Sequence, residues 1–286
     1  MHTNAQYQEK IVEFLSTLDA KIELNNRINA QLEAMAKTLY DYWFVQFDFP
    51  VALDTPGAKG TGHSGHAYRP YKSSGGKMVY NAELKREIPE GWEVGTLVDL
   101  GDIVGGSTPS TTDQNNFSSN GTPWITPKDL SENGNNKFIS RGEIGVTEQG
   151  MKNASLKLYP KGTVLLSSRA PIGYMAIASN PVCTNQGFKS FIPSKGYDTQ
   201  FVYYAVKQSL KAIIQSASGS TFKEISGGML KTIKTILPPK SITQHFVEKS
   251  EAIYRMQQNF ENENRSLASL RDWLLPMLMN GQVTVG

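Results

Sequence analysis

The chain is poor in the residues that hydrolytic and redox chemistry use. Its 286 residues include one cysteine, Cys183, and four histidines, His2, His63, His66 and His245. A single cysteine excludes a disulfide framework within the chain and suits a reducing compartment. No histidine falls between residues 88 and 237, where short β-like runs and turns indicate a compact domain, so a hydrolytic triad has no base there. The run Gly101-Asp102-Ile103-Val104-Gly105-Gly106-Ser107 lacks the Gly-Lys-Ser/Thr ending of a P-loop, and no Gly-x-Gly-x-x-Gly follows a strand. Amino-methyltransferases use an Asp/Asn-Pro-Pro-aromatic tetrad, for which Asn180-Pro181-Val182 is a poor substitute. No apolar run approaches the roughly 20 residues that span a bilayer. Glu9 and Glu13 come early, with no signal-peptide pattern. These absences together predict a soluble, cytoplasmic, non-catalytic protein.

Acidic residues are also scarce in one region. Between residues 152 and 237 there are eleven basic residues and two acids, Asp198 and Glu224. That stretch carries +9, and the remainder of the chain carries −6 against a total of +3. Two carboxylates are too few for a nuclease-type Mg²⁺ cluster. A segregated basic half is instead the footprint of a polyanion partner.

Residues 5–47 contain no proline and no glycine. Apolar residues fall at Ile11, Leu15, Leu18, Ile22, Leu32, Ala36, Leu39 and Trp43, in steps of four and three, with Asn25 and Asn29 completing the row. This is a heptad seam; buried asparagines weaken such a seam but set its register and partner. A second row, Leu24, Ile28, Met35 and Tyr42, widens the face enough for more than one partner helix. The helix would be roughly 60 Å long. A second seam follows Pro238-Pro239: Ile242, Phe246, Lys249, Ile253, Met256, Phe260, Glu263, Leu267, Leu270 and Leu274, with Pro276 and Gly281 at its end. Ile11-Val12-Glu13 aligns with Phe246-Val247-Glu248, and Leu32, Met35 and Leu39 align with Leu267, Leu270 and Leu274, a diverged internal repeat. The two segments are expected to form an antiparallel coiled coil, within the chain or with a second copy.

The fold class is therefore α+β: one globular domain and two long helices. The divisions read as a helix over 1–50, a linker or extended loop over 51–87, a globular domain over 88–239, and a helix with a tail over 240–286. The linker is Gly/Ser/Pro-rich and holds His63 and His66, too few ligands for zinc. One helix is predicted inside the globular domain, over 199–215, and strands near 163–166 and 175–178. Small, polar and basic residues gather in loops: Ser107 and Thr108; Lys128; Arg169; Gln186 and Lys189; and Lys223. Arg and Lys reach phosphates or guanine edges, Gln pairs with adenine, and Ser and Thr serve either. The phosphate candidates are Lys128, Arg169, Lys189 and Lys223, with Ser107, Thr108 and Gln186 nearby. The candidate helix-seam residues are Leu18, Ile22, Asn25, Asn29, Leu32, Leu39, Ile253, Phe260, Leu267 and Leu274. A coiled-coil scaffold whose globular domain binds protein is the alternative reading.

Several segments resemble the DNA-specificity (S) subunits of Type I restriction–modification systems. They are Ile88-Pro89-Glu90-Gly91-Trp92-Glu93-Val94, Gly105-Gly106-Ser107-Thr108-Pro109-Ser110, and Pro123-Trp124-Ile125-Thr126-Pro127-Lys128-Asp129-Leu130. Further on are Leu166-Ser167-Ser168-Arg169-Ala170-Pro171-Ile172-Gly173, Thr184-Asn185-Gln186-Gly187-Phe188-Lys189-Ser190 and Gly219-Ser220-Thr221-Phe222-Lys223-Glu224-Ile225. Leu237-Pro238-Pro239 and Leu18-Asp19-Ala20-Lys21-Ile22-Glu23-Leu24-Asn25 complete the match. The resemblance implies a target recognition domain between conserved helices. It implies double-stranded DNA and methyltransferase subunits as partners, and a restriction subunit as an optional third. S-adenosylmethionine, ATP and Mg²⁺ would reside on those partners, not on this chain. Family members usually carry two recognition domains; this chain has one. It therefore resembles a half-size S subunit, or the C-terminal half of a full one, expected to form a homodimer that reads an inverted repeat.

Overall fold

The computed structural model describes residues 5–52, 68–134, 136–169, 171–217 and 224–284. His63, His66 and Lys223 lie outside the described residues. The chain divides into two compact units, one made of residues 1–37 and 251–286, the other of residues 38–250.

The first unit is a pair of long helices. The N-terminal helix runs Ala5–Tyr40 and the C-terminal helix Lys240–Met279. The first is unbroken because no proline or glycine interrupts it before Pro50. The pairing is antiparallel: Asp19 meets Arg271, Asn25 meets Asn264, and Glu33 meets Gln257. Along the N-terminal helix the heptad row points inward. Ile11, Asn25, Leu32 and Ala36 are buried, and Leu15, Leu18, Ile22, Asn29 and Leu39 are half-buried. In the second row, Leu24, Met35 and Tyr42 stay exposed.

The C-terminal helix corrects the expected seam. Ile253, Phe260, Leu267 and Leu274 turn inward, half-buried as expected. The companion row is not Lys249, Met256, Glu263 and Leu270, however. Met256 and Leu270 are exposed; one residue further on than the expected row, Gln257 and Asn264 are buried, and so are Glu261 and Leu278. The polar side chains win these positions because they find partners across the pair. Asn25 Nδ2 donates to Asn264 Oδ1 at 2.9 Å and to Glu263 Oε2 at 2.9 Å, and Asn264 Nδ2 donates to Asn26 Oδ1 at 2.8 Å. Bonds of this kind offset desolvation that an apolar-period argument counts as prohibitive. Pro276 sits inside the last turns. Gly281, at φ 69°, ends the helix, with Gln282 N–H on Met277 C=O at 2.9 Å. No helix of the described residues is long and apolar enough to cross a membrane.

Among the described residues, the second unit has a five-stranded and a four-stranded sheet, with three two-stranded pairs beside them. A five-stranded sheet has the order Gly101–Gly105, Lys189–Pro193, Val164–Leu166, Met175–Ala178, Phe138–Ile139. Its neighbours are antiparallel except the last pair, which is parallel. The helix Thr199–Gln215 buries Phe201, Val202, Val206 and Ile213 completely, on the 3.6-residue period read from the sequence. A four-stranded sheet follows the order Cys183–Thr184, Thr122–Ile125, Gly145–Val146, Phe117–Ser118. Alternation along Thr122–Ile125 sends successive residues to two cores: Ile125 packs with Leu165 and Phe188, and Trp124 with Val146 and Cys183. Burial pushes the Cys183 thiol up to about 12, so it behaves as a small apolar side chain.

The segment expected as linker is more ordered than its composition implies. Within 68–89, Tyr68–Pro70 pairs with Pro50–Ala52, and Met78–Asn81 pairs with Arg86–Pro89. The second hairpin turns on Asn81, whose Oδ1 accepts from the N–H groups of Glu83 and Leu84. A ring cluster completes this unit. Phe44, in the π-helical turn Asp41–Val45, meets Tyr40, Trp43, Trp92, Phe201 and Phe246 at centroid distances of 4.9–6.2 Å.

Candidate nucleic-acid interface

Four turns meet at the end of the five-stranded sheet where Gly105 stands opposite Lys189. They are the loops over 105–110, 167–169 and 184–189 and the first turn of the helix Pro127–Glu132, capped by Thr126. Backbone bonds lock them together. Ser107 N–H donates to Thr184 C=O at 3.0 Å, Asn185 N–H to Ile125 C=O at 3.0 Å, and Ser168 N–H to Gly187 C=O at 2.8 Å. Trp124 Nε1 donates to Ser107 C=O at 3.1 Å. Glycine is required at 106, where a Cβ would come within 2.1 Å of Thr184 O and 2.2 Å of Asn185 O. At 187 a Cβ would meet Pro127 at 2.9 Å. Asn185 Oδ1 accepts from Gly187 N–H at 2.8 Å, so this side chain builds the turn. The surface is therefore held rigid before any partner arrives, which lowers the ordering cost of binding.

The candidate side chains fall on this surface in different states. Thr108 donates its hydroxyl to Gln186 Oε1 across the gap between two loops. That bond orients the exposed Gln186 amide and leaves its Nε2 hydrogens to donate outward. Lys189 is half-buried, with its ammonium 3.7 Å from where a Cβ on Gly105 would lie, and it has no ion-pair partner among the described residues. Arg169 is half-buried and bridges to Glu224 through the backbone. Lys128 differs. Its ammonium lies 2.6 Å from Glu143 and 3.6 Å from Glu132. The hydrogen bond to Glu143, with the charges of Glu132 and Glu143, raises its pKa above the usual lysine range. Its charge is already answered locally.

Lys157 and Tyr159 belong to none of the loop clusters visible in the sequence. Both line a depression of about 300 Å³ together with Gly105, Gly106 and Ser107. The Tyr159 hydroxyl donates to Gly105 C=O, and burial with the nearby Cys183 raises its pKa. The only signal in sequence was the density of lysines, which does not say which of them share a surface.

Residues 89–270 match the family model described as Type I restriction modification DNA specificity domain. The chain belongs to this family. Relatives agree along most of its length. It is 40% identical over 200 residues to the Type I restriction enzyme MjaIX specificity subunit of Methanocaldococcus jannaschii, covering 68% of this chain and 46% of that one. It is 30% identical over 311 residues to the HindI specificity subunit of Haemophilus influenzae, covering 96% of this chain and 67% of that one. The chain thus spans between about half and two thirds of these relatives. Among solved structures, an S subunit of a Type I restriction–modification system from M. genitalium shares the fold, with a TM-score of 0.57 and 15% identity over 96% of this chain and 61% of that chain. Within this family the chain is an S subunit type with one recognition domain, folded as mixed helix and sheet with a long helix towards each end.

Proposed function

We propose that the chain is a non-catalytic, sequence-specific DNA reader that positions methyltransferase subunits of a Type I restriction–modification complex. The observation that carries this is the rigid surface at Gly105–Lys189, where small polar and unpaired basic side chains converge in a chain of the DNA-specificity family. Lys189 and Arg169 contact phosphates, and Lys223 is a further phosphate contact in this reading; Lys128 contributes least, because its charge is already paired. Ser107, Thr108 and Gln186 face base edges. The Gln186 Nε2 donors suit the N7, O6 and O4 acceptors of the major groove.

The exposed second row of the N-terminal helix, Leu24 and Met35, and Met256, Leu270 and Trp273 of the C-terminal helix supply apolar contacts for partner subunits. A second copy of the chain would add the second reader, giving recognition of an inverted repeat. S-adenosylmethionine, ATP and Mg²⁺ belong to the methyltransferase and restriction subunits in this reading.

The test is DNA binding by the purified chain as salt is raised, with co-purification of a methyltransferase subunit. A reader loses affinity steeply with salt. On the preferred duplex Gln186→Ala should lose about 1–3 kcal/mol, with little change on scrambled duplex. Salt-independent binding, or no binding, refutes the reading. Light scattering that finds one chain per particle, alone and on DNA, removes the dimer and leaves the reader.

A further inference from the structure

The reader surface continues into a furrow that the loop motifs did not indicate. The depression at Gly105, Gly106 and Ser107 is also lined by Ser155, Leu156 and Lys157. A neighbouring depression of about 460 Å³ shares Ser155 and Leu156 and adds Met151 and Lys152. A third, of about 600 Å³, shares Lys152 and is otherwise lined mainly by amides and a hydroxyl, including Asn115, Thr147 and Asn153. Each depression shares lining residues with the next. Lys189 flanks the first, Lys157 lines it, and Lys152 lines the second and third.

We propose that this furrow is a phosphate track for one strand of the bound nucleic acid, with Lys189, Lys157 and Lys152 as successive cation contacts. The assignment rests on the DNA-reading function above and extends it to residues outside the loop clusters. Three observations carry it. None of the three lysines has a carboxylate partner among the described residues, whereas Lys77, Lys128 and Lys234 are each paired with a glutamate. At the start of the track Gly105 is exposed, and a Cβ there would have nothing nearer than 3.6 Å, so the bare floor at this position is not imposed by packing. Beside Lys152, the third depression is lined by amides and a hydroxyl with one carboxylate, Glu148, a composition that suits phosphate and sugar oxygens, whereas Leu156 and Met151 line the second.

The experiment titrates the full chain with a fluorescein-labelled duplex of random sequence and reads the slope of log K against log salt. Lys189→Gln, Lys157→Gln and Lys152→Gln should each flatten the slope by about 0.9, the loss of one released counterion, and the Lys157/Lys152 double variant by about twice that. Lys77→Gln, at a lysine paired with Glu90 and outside the reader surface, should leave it unchanged. Thermal melting of each variant, unchanged for these surface positions, separates lost contacts from lost fold. Wild-type slopes retained in Lys157→Gln and Lys152→Gln overturn the track while the DNA reading stands. Absence of salt-dependent binding in the wild type overturns both, and is visible before any variant is made. If the variants weaken binding to poly-glutamate but not to the duplex, the furrow is a site for acidic peptide and the proposal is wrong.

Discussion

The helical unit and the sheet unit centre on different kinds of buried residue. The helical pair buries Asn25, Gln257, Glu261 and Asn264 near its middle, where a coiled coil would be expected to place leucine. The sheet unit centres on the rings of Phe44, Phe188, Phe191, Phe201 and Phe246, and many of the polar side chains buried with them are small hydroxyls such as Thr163, Ser167 and Ser190. The first arrangement favours specificity over stability: a mispaired register would leave these amides and the carboxylate without partners. The second favours rigidity, and the loops at Gly105–Lys189 inherit it. The contrast shows where each unit can tolerate change.

The largest way to break the comparison is at the ring cluster. Phe44→Ala should destabilise the sheet unit by about 3–5 kcal/mol, read from denaturant unfolding followed by Trp43 and Trp92 fluorescence. A cost below about 1 kcal/mol, the average for any substitution, would deny the cluster its role. The helical pair should respond in the other direction. Both polar atoms of the Asn29 side chain are buried without a partner among the described residues. Asn29→Leu should therefore raise stability by about 1–3 kcal/mol, the desolvation it relieves, while loosening the choice of register. A lowered melting temperature would refute this.

Two smaller tests sharpen the contrast. Asp99 accepts from Thr96 N–H at 2.8 Å and from the Thr96 hydroxyl at 3.0 Å. The Thr96 N–H holds its carboxyl below the usual range against the opposing effect of burial, with the Thr96 hydroxyl, Lys195 and Lys234 adding to it. A depressed folded pKa stabilises above the unfolded value, near 4, and that contribution fades as pH falls through the folded value. Asp99→Asn should cost about 1 kcal/mol at neutral pH, and its gap from the wild type should close in acid. A gap constant with pH would remove the charge from the account. On the helical pair, the 2.7 Å contact between Arg271 and Asp19 is solvent-exposed. Arg271→Ala should cost only about 0.2–1 kcal/mol, and less at high salt. Calorimetry that found a larger, salt-insensitive loss would show that the arginine stem, and not its charge, holds the pair.

Legibility from sequence followed the range of the interactions. The N-terminal seam was readable because period and burial are both local: Ile11, Leu18, Leu32 and Ala36 turned inward as their spacing required. The helix over 199–215 was readable for the same reason. On the C-terminal helix, apolar spacing selected Met256 and Leu270, but Gln257 and Asn264 took the interior because Glu33, Asn25 and Asn26 wait on the other helix. At the candidate interface, Ser107, Thr108, Gln186 and Lys189 were found by residue type and do share one surface. Lys128 was chosen by the same reasoning, and its neutralisation by Glu143, fifteen positions away, was invisible.

The sequence by itself determined the long amphipathic helices, the basic stretch over 152–237 and the family, because each is written in spacing, composition or contiguous motif. The tertiary structure alone decided which face of the C-terminal helix is inside and which lysines remain unpaired. Those outcomes depend on partners distant in the chain. Hydrogen bonding and ion pairing act across space, and they outweigh the local preference that a sequence pattern records.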